Sequence, residues 1–110
     1  MDATEHLRGL AGAIVESARG LVDLRAALLV GSAGRGDADC YSDLDLIVYV
    51  DSLPSDRTIA LIREAVGGTN PIARGRVEHF CGEEFELDGV RTEVSFGIVS
   101  QLERRFEQLV

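Results

Sequence analysis

Apolar positions along the first twenty residues recur every three or four. Leu7, Leu10, Ala11, Ile14, Val15 and Ala18 form one stripe, which predicts an amphipathic helix over 4–19. Thr4 or Asp2 is its cap and Gly20 its stop. The pattern then becomes a short apolar run at 25–30, ending at Gly31. That predicts a buried strand entering a turn. Residues 32–42, rich in Gly, Asp and Ser, read as loop with one short helical turn after Ser32. From 43 the period is two. Asp43, Asp45, Ile47 and Tyr49 share one face, and Leu44, Leu46, Val48 and Val50 share an apolar face turned to the core.

Helical spacing returns at 56–66 behind Ser55, with Ile59, Ile62, Ala65 and Val66 inward, and Gly67-Gly68 ends it. Asn70-Pro71 reads as a further loop. Strands are expected at 76–81 and 84–87. Asp88-Gly89 is a two-residue hairpin signal, leading to a strand at 90–96 with Arg91, Glu93 and Ser95 on one face. Val99–Val110 reads as a helix with Leu102, Phe106 and Leu109 on one side. It runs to the last residue without a cap, so the chain is expected to be one domain, 1–110, at the N-terminal end of a longer protein.

Composition narrows the class. The 110 residues are 45% hydrophobic, enough for one modest core. The net charge of −8 argues against long nucleic acid as substrate, because gripping a polymer of phosphates calls for a basic face. Cys40 and Cys81 stand far apart and fit neither a metal motif nor a disulfide framework, which favours a reduced, cytoplasmic setting. Neither a membrane span nor a signal peptide is expected. His6 and His79 have no partner at ligand spacing and are assigned no role.

The chemistry concentrates at 31–45. Gly31 and Gly34 permit backbone angles closed to other residues, and N–H groups in such a turn form an anion nest to which Ser32 adds a hydroxyl. Asp43 and Asp45 put Cα atoms about 6.5–7 Å apart on one strand face. Two carboxylates so placed repel, and a Mg²⁺ ion with phosphate oxygens relieves the conflict. Each feature alone has an ordinary structural explanation, a common turn or a solvated strand face. Asp is disfavoured in strands, so two in a strand this apolar call for a reason.

In series the two features are more specific. The Gly-Ser turn, nine residues, then Ser-Asp-Leu-Asp-Leu-Ile-Val resembles the signature of the DNA polymerase beta-like nucleotidyltransferase superfamily, and most of all its minimal (MNT-type) domains. The resemblance implies an α+β fold, a small mixed β-sheet of three or more strands flanked by helices, like the polymerase beta palm. It implies that Gly31 and Ser32 hold a triphosphate and that Asp43 and Asp45 bind two Mg²⁺ ions. A third acid on a later strand completes the site and helps deprotonate the acceptor hydroxyl. Glu93 is the best match, with Glu84 and Glu86 as rivals and an ion pair with Arg91 or Arg74 as the alternative. Arg35 reaches either a phosphate or Asp37 or Asp39, and Ser42 orients the turn before Asp43. The expected activity is transfer of a nucleoside monophosphate from an NTP, with ATP the expected donor, to a hydroxyl of a small molecule or protein. The alternative is a non-catalytic, antitoxin-like module of the same fold. A helical partner domain or a homodimer is the expected company.

Overall fold

A computed structural model describes residues 2–39 and 42–101. Helix α1, Ala3–Arg19, starts where the Asp2 carboxylate accepts from the Glu5 N–H at 2.8 Å, and it buries Leu7, Ala11, Ile14 and Ala18. Strand β1 (Leu24–Val30) leads into the one-turn helix α2 (Gly31–Arg35), and β2 spans Leu44–Val50. Helix α3, Asp56–Val66, is capped by Ser55 Oγ and closed by Gly67 at φ 84°. Strands β3 (Thr69–Val77), β4 (Phe80–Leu87) and β5 (Val90–Ile98) complete the sheet.

The sheet order is β1-β2-β5-β4-β3. Among the described strands β2 and β5 run parallel and the other neighbours are antiparallel. α3 and the β3–β4 hairpin therefore form the crossover that brings β5 beside β2. Leu44, Leu46, Val48 and Val50 of β2 lie under α1 and α3 with Phe85, Val94 and Phe96. Ser17 Oγ donates to the Ile62 carbonyl at 3.3 Å and joins the two helices. The period-two reading of β2 is visible in this core: every second residue is buried. Among the described residues no helix is long and apolar enough to cross a membrane.

Four expectations need correction. β1 is not a buried strand: it is an edge, with Arg25 to Leu28 exposed. It has one neighbour in the sheet, β2, so only its ends, at Leu24 and Leu29, reach the core. Asn70-Pro71 is not loop but lies in β3, and the turn at 78–79 splits the strand expected at 76–81. β3 is an edge whose every residue is exposed, so burial imposes no period on it. Pro71 is tolerated there because an edge strand does not need every N–H in a ladder. Ala65 is exposed rather than inward. Asp88-Gly89 makes the expected turn, with φ 52° and 76°, and His6 Nε2 lies 3.1 Å from Asp88 Oδ2. Residues 99–101 are helical; the remainder of the helix expected to Val110, and Cys40, lie outside the described residues.

Candidate active site

The site is built where β1 ends and β2 begins. Because these strands are antiparallel, Val30 sits opposite Asp45, and on the other side Asp45 is in register with Glu93 of β5. Neighbouring strands are about 4.8 Å apart. The turn at Gly31 and two carboxylates thus fall in one row across the sheet. Val30, Asp45, Leu46, Ile47, Glu93 and Ser95 line a cleft of about 250 Å³.

Glycine is required twice in the turn. Gly31 has φ 73°, and a Cβ there would meet Asp45 Oδ2 at 3.3 Å. At Gly34 a Cβ would run into the Leu29 carbonyl, which is how α2 lies so close to β1. Ala33 is fully buried beneath it. Helix α1 braces the turn from outside: Arg8 Nε donates to the Ala33 carbonyl at 3.2 Å, and Thr4 Oγ1 accepts from the Ala38 N–H at 3.1 Å. Ser32 is half-buried, its carbonyl accepting from the Gly36 and Asp37 N–H groups. No side chain caps α2.

Asp43 is exposed just ahead of β2, and Asp45 is half-buried within it. Burial pushes the Asp45 carboxyl above the usual carboxylate range, the Asp43 charge pushes the same way, and Arg91 opposes both. Asp43 and Asp45 therefore share an electrostatic environment, as their spacing predicts. Ser42 forms a closed turn with Asp39: its Oγ accepts from the Asp39 N–H at 3.0 Å. Arg35 Nε lies 3.3 Å from Asp37 Oδ2, with both side chains well exposed, so of the two partners foreseen for Arg35 the carboxylate is present.

Glu93 is held by Arg74, Nε to Oε1, at 3.6 Å. Of its rivals, Glu86 accepts from Asn70 at 3.1 Å. Glu84 is buried and takes hydrogen bonds from Arg91 Nη2 at 3.0 Å and Arg74 Nη1 at 3.3 Å. The Arg91 guanidinium holds the Glu84 carboxyl below the usual range. These two arginines are what the sequence reading understated. Arg91 was legible, two residues from Glu93 on the same face. Arg74 was foreseen as a partner of Glu93, and that contact is present; the strand that carries it was not, because β3 has no periodicity.

The donor chemistry of Asp43, Asp45 and Glu93, carboxylate oxygen throughout, is what Mg²⁺ takes. Among the described residues no three such side chains are already gathered tightly enough to hold an ion.

The fold has a known counterpart. The profile of the nucleotidyltransferase domain family matches residues 13–107, and the chain belongs to that family. Among solved structures it is similar to the Cid1 poly(U) polymerase with magnesium and 3′-dATP bound, at 22% identity and a TM-score of 0.60, over 90% of this chain and 32% of that one. A second Cid1 structure, described for its RNA terminal uridylyl transferase activity, matches at 19% identity and 0.55, over 89% and 30%. At these identities the likeness establishes the fold, and the chain spans about a third of those proteins. No curated protein matches it.

Proposed function

We propose that this domain transfers a nucleoside monophosphate from an NTP, with ATP the expected donor, to a hydroxyl of a small molecule or protein, releasing pyrophosphate. The observation that carries the reading is the row Gly31–Asp45–Glu93, in which a turn with uncapped N–H groups adjoins two carboxylates on paired strands. In this reading the β- and γ-phosphates lie on the start of α2 and the Ser32 hydroxyl. Arg35 leaves Asp37 to meet a phosphate, a planar donor fork suiting either partner. Ser42 keeps the approach to Asp43 in shape.

Asp43, Asp45 and Glu93 would hold Mg²⁺, which supplies neutralisation of the leaving pyrophosphate and a more acidic acceptor hydroxyl. Glu93, one strand beyond Asp45 from the phosphate turn, stands on the acceptor side and takes the hydroxyl proton. The rest is alignment: the acids and the turn fix the α-phosphorus for in-line attack. Cys81, a buried free thiol, fits the cytoplasmic setting proposed for the protein. Company from a helical domain or a second copy belongs to the same proposal.

Pyrophosphate release with Mg²⁺, each NTP and a panel of hydroxyl acceptors tests this. Asp43→Asn and Asp45→Asn are each expected to lower the rate at least about a hundredfold, the scale for losing a preorganised charge at a reacting centre, with circular dichroism unchanged. Mg²⁺-dependent release surviving in both variants would overturn the assignment.

A further inference from the structure

Four charged side chains on the open face of the sheet form a chain of contacts outside the phosphate turn. Arg91 grips the Glu84 carboxylate through Nε and Nη2. Glu84 in turn accepts from Arg74 Nη1 at 3.3 Å, and Arg74 Nε faces Glu93 Oε1 at 3.6 Å. Glu84 and Glu93 are register partners on β4 and β5. Two carboxylates directly opposite each other repel, and here the repulsion is relieved by arginines alone. Glu84 is 8% exposed, whereas the Arg74 side chain is 44% exposed and the Glu93 side chain 37%. The covered member is therefore Glu84, and the longer, more open contact is the one between Arg74 and Glu93.

We propose that Glu84 is a positioning residue for the acidic site: anchored by Arg91, it sets Arg74 on the Glu93 carboxylate, so that a divalent ion must displace this guanidinium to recruit Glu93. The inference rests on the reading of Asp43, Asp45 and Glu93 as ion-holding acids. It accounts for the fact that these acids are not already gathered: the third is occupied by a resident cation. It also gives Arg74 a second use, since a guanidinium released from Glu93 beside the cleft stands ready for an anionic group of a substrate.

Binding of Mn²⁺ to the full chain, followed by water-proton relaxation without nucleotide, tests the proposal. Arg74→Gln removes the competitor and is expected to tighten binding by about three- to fivefold, the worth of a partly exposed ion pair. Glu84→Gln is expected to weaken it by a similar factor, because Arg74 then settles wholly on the acids. In the double variant the Glu84→Gln effect should shrink by more than half, as it must if Glu84 acts through Arg74. Glu84→Asp, which keeps the charge, should restore part of the wild-type affinity. Additive effects in the double variant would show Glu84 to be a simple background charge and overturn the inference. So would unchanged or weaker binding in Arg74→Gln, a variant that keeps the buried Glu84–Arg91 pair and remains informative if Glu84→Gln does not fold. Asp45→Asn separates the two layers. If it binds Mn²⁺ like the wild type, the reading of the acidic site itself fails; if it alone loses binding, only the role of Glu84 falls.

Discussion

Asp45 shows how one residue can be kept at a cost to the fold. Its carboxyl is raised above the ordinary range by burial and by Asp43, so the charged form is less favourable in the folded chain than in the unfolded one. The penalty appears as pH rises through the shifted pKa and is absent once the group is protonated in both states. Asp45→Asn is therefore expected to stabilise the fold at pH 7, read as a rise in Tm. The gain should vanish below about pH 4. Thermal melts at the two pH values measure it, and equal gains at both would refute the cause given. Glu84 runs the other way. Its folded pKa is depressed by Arg91, so its contribution is present above the ordinary Glu range and lost as pH falls through the lower folded value. If Asp45→Asn both stabilises the fold and lowers the proposed transfer rate, the two results together mark Asp45 as a residue kept for chemistry.

Among the elements, those with one buried face were the legible ones. α1, α3 and β2 each repeat an apolar residue at the period of their geometry, and β5 announced itself through the Asp88-Gly89 turn. β3 and the exposure of β1 were not legible, because edge strands bury too little for sequence to record. The site divides the same way. Asp45 and Glu93 lie on strands with a readable pattern, Gly31, Ser32 and Asp43 were marked by residue type and spacing, and Arg74 was foreseen beside Glu93 although its strand, β3, was not. One contact between elements was also invisible: Arg63 of α3 meets Glu83 of β4 at 2.7 Å, with side chains 14% and 12% exposed. Glu83 Oε1 is buried without a partner. Breaking such a pair from one side leaves a buried charge uncompensated. Arg63→Met should cost about 3 kcal/mol, while Arg63→Met with Glu83→Leu should be near neutral. Urea unfolding of both variants checks this, and comparable losses in the two would mean that the pair itself, rather than its desolvation, carries the stability.

For the whole molecule, charge and fold point to different acceptors. The fold is one that a poly(U) polymerase also uses, and a polymer acceptor would be the simple extrapolation. Affinity for a polymer, however, comes from counterions released by free basic side chains along a track. This chain has 11 basic residues against 19 acidic ones, and every basic residue is Arg. Most described arginines are already committed: Arg19, Arg25, Arg35, Arg63, Arg74, Arg76 and Arg91 each face a carboxylate. Displacing those partners would take back part of whatever a phosphate contact contributed. A 20-nucleotide RNA is therefore expected to bind the full chain more weakly than about 100 µM at physiological salt, outside even the usual non-specific range. Fluorescence anisotropy measures this directly. Low-micromolar binding that weakens steeply with salt would reveal a basic track and return a polynucleotide to the candidates for the acceptor. Absence of binding, with pyrophosphate release on a small hydroxyl compound, would place the selectivity in the few residues around Glu93.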